Sequence, residues 1–118
     1  MHKKPTPQEL RAVLAHYYGS ENIYSHSLSK LVYTDGARAF AINAGAYWFI
    51  DIVGTEIHPM NLEFAVVKLV SKDGAGSVVV EDGNGNTSWE KKIEFTDCPE
   101  GVWSFYLVDG TLLLPSEY

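Results

Sequence analysis

The stretch VVVEDGNGNTSW over residues 78–89 holds the most ligand-like side chains in the chain. Asp82, Asn84 and Asn86 present oxygens at alternating positions, the spacing by which a calcium loop surrounds its ion. Such a loop also needs glycine at its sixth position and a bidentate glutamate at its twelfth. Counted from Asp82, those positions hold Thr87 and Ile93. The β-prone residues on either side demand a tight return, so the stretch is read as a turn and no metal is expected.

Histidine offers the next chemistry. His2, His16, His26 and His58 never fall at the helical i,i+3 or i,i+4 spacing, or the H-x-H strand spacing, that would hint at zinc. His26, in YSHSLS, has Ser25 and Ser27 beside it, and Cys98 is the single thiol. A nucleophile–base pair drawn from these is conceivable, because such partners meet in space and not in sequence. No nucleophile elbow or cysteine-protease signature accompanies them, so His26 is read first as structural and next as a binding residue. Cys98, in TDCPEG, reads as a small residue before a proline turn. Asp51 interrupts the apolar run YWFIDIV, which predicts partial burial and a need for a partner. No phosphate loop of the G-x-G-x-x-G or GK[ST] type occurs. These readings yield no catalytic residue and no cofactor.

Aromatic side chains carry the remaining signal. Tyr17, Tyr18, Tyr24, Tyr33, Tyr47, Trp48, Trp89, Trp103 and Tyr106 exceed what a core of this size strictly needs. Tyrosine and tryptophan are favoured anchors of protein interfaces, and they also stack on flat ligands. The candidate partner- or ligand-binding residues are therefore Tyr24, His26, Tyr33, Asp35, Tyr47, Trp48, Asp51 and Trp89.

The elements that must position them follow from periodicity. TPQELRAVLAHYYGS carries a helix grammar: Thr6 as cap, Pro7 at the first helical position, Glu9 completing a capping box. Leu10, Val13, Leu14, Tyr17 and Tyr18 make one apolar stripe. The helix is expected over residues 7–18, with Gly19 as its left-handed terminator. Asp-Gly pairs at 35–36, 73–74, 82–83 and 109–110 mark four hairpin turns. Around them SKLVYT, ARAFAIN, LEFAVVKLV, SVVVE, SWEKKIEF, VWSFYLV and TLLLP read as strands. In WEKKIEF, Trp89, Ile93 and Phe95 share a face, with Lys91 the exception. GAYWFIDIVGTEIHPM is long for one strand, which favours a second helix near residues 45–56. The expected fold is α+β: an N-terminal amphipathic helix, that second helix, and a curled antiparallel meander of five to seven strands.

Composition bounds the rest. With 118 residues, the chain is sized for a single domain over 1–118, with 1–5 as a flexible tail. Hydrophobic residues at 46% and charged residues at 20% call for a packed core, not disorder. No apolar run approaches the roughly 20 residues that cross a bilayer, and no signal core precedes the helix. A single cysteine excludes an internal disulfide and fits the cytoplasm. Nine basic and fifteen acidic residues give a net charge of −6, against direct nucleic-acid binding. The acids are scattered among lysines, unlike the one-sided arrays of a DNA mimic.

ENIYSHSLSKLVYTDGARAF, GAYWFIDIV, VEDGNG, IEFTDCP and LLLPSEY together resemble a small uncharacterised bacterial domain family carried by plasmids, prophages and phages. The resemblance spans about Leu10 to Tyr118 and implies no activity. It implies a cytosolic protein of a mobile element, a context rich in inhibitors of host defence. The expected function is a non-enzymatic protein that binds and inhibits a host protein, most concretely an anti-CRISPR-type inhibitor acting on a defence nuclease complex. A homodimer is expected to be accessible to it. The alternatives are a binder or sequestering protein for a nucleotide-like small molecule and, behind it, an enzyme using His26 or Asp51.

Overall fold

The structure is a computed structural model and describes residues 5–19 and 22–118. The expected tail at 1–5 and His2 therefore fall outside it, apart from Pro5. A seven-stranded sheet carries a layer of three short helices on one face. The first helix, α1 (Pro7–Leu14), begins as its sequence dictates. Thr6 Oγ1 accepts the Glu9 amide at 3.1 Å, and Glu9 Oε1 accepts the Thr6 amide at 2.8 Å. It stops well before Gly19. The chain turns away to the C-terminal segment, where the Ser116 hydroxyl donates to the Tyr17 carbonyl at 2.6 Å.

Two short strands, β1 (Ile23–Ser25) and β2 (Val32–Thr34), form a hairpin. Asp35-Gly36 is not a turn, and ARAFAIN is not a strand: Asp35–Ala44 is a helix, α2. Thr34 caps it, its hydroxyl accepting the Ala37 amide at 3.3 Å, and Gly45 closes it in the left-handed region. Four alanines inside it favour helix. Gly36 is glycine for a packing reason: a Cβ there would overlap the Glu117 carboxylate, which accepts the Gly36 amide at 3.0 Å.

The ambiguous run is helical, as expected. Helix α3 (Tyr47–Ile52) continues into one π-helical turn, Val53–Ile57, and a 3-10 turn, His58–Met60. The remaining strands are β3 (Phe64–Lys72), β4 (Ala75–Glu81), β5 (Thr87–Ile93), β6 (Gly101–Val108) and β7 (Thr111–Leu113). Their order across the sheet is β1-β2-β7-β6-β3-β4-β5. The meander holds for β3-β4-β5, but β7 pairs with β2 in parallel, so the sheet is mixed. Three of the four Asp-Gly pairs are hairpin turns. Asp73-Gly74 and Asp109-Gly110 place both residues at positive φ, as a tight primed turn requires.

Phe40 meets Trp103 and Phe105 of β6, and Phe49 meets Phe105, at centroid distances of 5.0–5.8 Å. Ala65, Val67, Leu69, Val78, Val80 and Leu112 complete this buried layer. Lys91, the exception on β5, faces inward to reach Glu56 on the π turn at 2.9 and 3.0 Å. Among the described residues no helix is long and apolar enough to cross a membrane.

Candidate functional site

The stretch between β4 and β5 is a turn over residues 82–86, closed by the Asp82 amide donating to the Asn86 carbonyl at 3.0 Å. Asp82 Oδ1 accepts the amides of Asn84 and Asn86 at 2.8 and 3.0 Å, and Gly85 takes a positive φ. Donors around it, chiefly the backbone and side chain of Asn86, hold the Asp82 carboxyl below the usual carboxylate range. Among the described residues, no three of His, Cys, Asp and Glu gather as a metal set.

Most candidate binding residues converge at the β1–β2 edge, where the hairpin meets α2 and α3. Tyr24 and Tyr33 are register partners on the helix-covered face and stack with centroids 5.8 Å apart. Asp35, in the first turn of α2, accepts the Tyr24 hydroxyl at 2.8 Å and the Asn22 amide at 3.2 Å. Arg38, one turn further, lies over the Tyr24 ring at 4.8 Å. The bond to Asp35, then burial, pushes the Tyr24 hydroxyl above the ordinary tyrosine value. Tyr33 is raised chiefly by burial, with Tyr47 and Asp51 adding to it and Arg38 opposing. Those influences place Tyr47, Asp51 and Arg38 around Tyr33. Tyr47 itself is 43% exposed.

Behind this patch lies His26, 7% exposed. Its Nε2 meets Asp51 Oδ1 at 2.8 Å, and its Nδ1 meets the Ser29 hydroxyl at 2.7 Å. The tautomer that satisfies both donates from Nε2 to the carboxylate and accepts the Ser29 proton at Nδ1. Ser29 Oγ also accepts the Leu31 amide at 3.2 Å. The predicted partners Ser25, Ser27 and Cys98 are not the ones used. Cys98 sits elsewhere, buried beside Ser71 and Thr96.

Aspartate, histidine and serine in a line have the composition of a hydrolytic triad, but the ring is turned around. In a triad the carboxylate holds Nδ1 and Nε2 faces the nucleophile. The backbone also crowds the serine: a Cβ on Gly54 would lie 2.6 Å from both His26 Nδ1 and Ser29 Oγ. A substrate carbonyl needs that space. The arrangement ties the β1–β2 loop to α3, and the wide π turn brings Gly54 against it. The Asp51 side chain stays 56% exposed, so it belongs to both the tie and the surface.

Two candidates stand apart. Trp48 packs against the core, edge-on to Phe49 at 6.5 Å. Trp89 pairs with Val80 near the opposite edge of the sheet and also supports the core. Sequence reasoning missed Ser29, Arg38 and Asn22. Arg38 became visible only once 35–44 was a helix, because i,i+3 spacing puts it above Asp35. Two cavities, of about 300 and 360 Å³, lie elsewhere, one beside His58 and Asp109, the other beside Arg11 and Trp103.

A helix-backed mixed sheet with an aromatic corner defines an α+β domain. The chain belongs to a family of unknown function, DUF6876, whose profile matches residues 8–118. No curated protein and no solved structure matches it.

Proposed function

We propose that the protein is a non-enzymatic interaction domain that docks through its tyrosine corner onto another protein and blocks it. The observation that carries this reading is the grouping of Tyr24, Tyr33, Tyr47, Asp35, Arg38 and Asp51 in one partly exposed patch, with Tyr24 held by Asp35 and Arg38. Rigid aromatics ringed by charge are the anatomy of an interface hot spot. The net charge of −6 suits a basic partner surface. A host defence nuclease, whose nucleic-acid groove is basic, is the concrete target, as the resemblance to mobile-element proteins implies. Expression in cells with an active guide-RNA-directed nuclease should restore plating of a targeted phage. Tyr47→Ala and Arg38→Glu should abolish that effect without loss of folding. Unrestored plating for every nuclease tried would count against the reading.

The stacked pair with an adjacent guanidinium also suits a flat anionic ligand such as a nucleotide. The cavities beside His58 and beside Arg11 do not include these residues, so neither supports this second reading. A rise in melting temperature with nucleotides, absent in Arg38→Ala, would favour it. An enzymatic role for His26 or Asp51 predicts that His26→Ala and Asp51→Asn abolish function in cells. Retained function would remove it.

A further inference from the structure

We infer that a notch in the sheet edge beside β6 takes a short extended peptide segment of another protein, with an acidic residue two positions from a large apolar one. The notch follows from unequal strand lengths. Strand β6 runs over Gly101–Val108, but β7 pairs only with its end, Tyr106 to Val108. The register would put Pro115 opposite Ser104, and proline has no N–H to continue the ladder. The chain leaves the sheet there in a 3-10 turn, Pro115–Glu117. Alternation along β6 fixes which groups are left open. The Asp109 amide donates to the Glu63 carbonyl, on the β3 side, at 3.0 Å. Asp109-Gly110 is a two-residue turn closed by Val108 and Thr111, so Val108 points its N–H and C=O at β7. Tyr106, Ser104 and Val102 share that direction, because it repeats every second residue. The backbone groups of Tyr106 meet Leu113. Those of Ser104 and Val102 face no strand among the described residues.

The cavity of about 360 Å³ opens at this spot, and Val102, Trp103, Ser104 and Phe105 all line it. Successive side chains of a strand point to opposite faces, so a cavity touching consecutive residues lies along the strand's edge and not on either face. Helix α1 and the C-terminal segment wall it through Arg11, Leu14 and Leu114. A free edge in a groove is where an extended peptide adds as a strand: main-chain bonds hold it, and pockets read its alternate side chains. A small apolar acid would leave the N–H and C=O groups of Val102 and Ser104 unused. The side-chain preference comes from the helix-covered face. There Leu14, Trp103, Phe105 and Leu114 offer an apolar pocket. Arg11 lies over the Trp103 ring at 4.4 Å, toward the Gly101 end. Among the described residues its guanidinium has no carboxylate partner. A carboxylate on the incoming strand supplies one. Both features lie on one face, so the acid and the apolar residue fall two apart. The notch is separate from the tyrosine corner.

Hydrogen exchange of the full chain tests the free edge. The Val102 and Ser104 amides should exchange about tenfold faster, or more, than those of Tyr106 and Val108, which the hairpin protects. Equal protection would overturn the inference. Selection of phage-displayed random heptapeptides on the full chain tests the occupant. The expected result is enrichment of Asp or Glu two residues from a large apolar side chain. A selected sequence, made synthetically, should shift the amide signals of Val102 and Ser104. Arg11→Gln should weaken its binding about fivefold, the upper range for an exposed ion pair, while Tyr47→Ala leaves it unchanged. Methylating the peptide's backbone nitrogens one at a time should abolish binding at alternate positions only, the period of a paired strand. No enriched motif, shifts confined to other residues, or binding indifferent to every N-methyl group would overturn the inference. None of these results bears on whether the tyrosine corner docks on a host protein.

Discussion

Gly54 sets how closely α3 can approach His26. Replacing it with alanine drives a methyl into the His26–Ser29 bond, and those side chains must give way. Gly54→Ala should therefore cost about 1–3 kcal/mol in urea unfolding, the range for overpacking. Asp51→Asn should cost less than about 1 kcal/mol, because its carboxylate is more than half exposed and screened by water. A large loss from Asp51→Asn and none from Gly54→Ala would reverse this ranking. Tyr24 offers a pH test. Its folded value lies above the unfolded one, chiefly because its hydroxyl donates a hydrogen bond to Asp35. The associated stability is complete below the unfolded value of about 10 and is lost as pH rises through the folded value. Phenolate absorbance should show late-titrating tyrosines, one fewer in Tyr24→Phe, with Tyr33 still among them. His26 and Asp51 stood out in the sequence as oddities, a histidine among serines and an acid among apolar residues. Their bond was not legible, because 25 residues separate them and only folding sets their distance.

At the scale of elements, the start of α2 depends on Thr34 and Glu117. The Thr34 hydroxyl accepts the Ala37 amide and donates to Glu117 Oε1 at 2.7 Å, while Oε2 takes the Gly36 amide. Thr34→Val keeps the shape and removes both bonds. It should lower stability by about 1–2 kcal/mol, the usual cost of losing a helix cap, read from thermal melts. Local grammar was reliable where one interaction decides: the capping box of α1, and Asp-Gly at 73–74 and 109–110. It misled at Asp35-Gly36, where the same dipeptide opens a helix because Glu117, from the other end of the chain, occupies the helix start. It also overran α1, where the apolar stripe continues past Leu14 but the chain bends to reach Ser116. Five to seven strands were expected and seven form among the described residues, with Ile23–Ser25 in place of ARAFAIN. The parallel β2–β7 pair joins residues nearly eighty apart in sequence, and no pattern within either strand encodes it.

For the whole molecule, the structure separates two surfaces that composition alone merges. Surplus aromatics announced an interface, and folding sorts them: Trp48 and Trp89 go to the core, Phe64, Tyr106 and Tyr118 to the open sheet face, and Tyr24, Tyr33 and Tyr47 to the charged corner. A docking role at that corner requires that Tyr47→Ala and Arg38→Glu leave unfolding within about 0.5 kcal/mol of the parent chain, as exposed positions do. Urea melts check this before any functional assay. No partner is legible in the sequence, because recognition depends on a second surface that it does not contain. The most direct measurement is DNA cleavage by purified guide-RNA-directed nucleases titrated with the chain. The docking account predicts a nuclease whose cleavage falls stoichiometrically with the wild-type protein and recovers with Tyr47→Ala or Arg38→Glu. Undiminished cleavage across the panel, or inhibition that both corner variants retain in full, would contradict it.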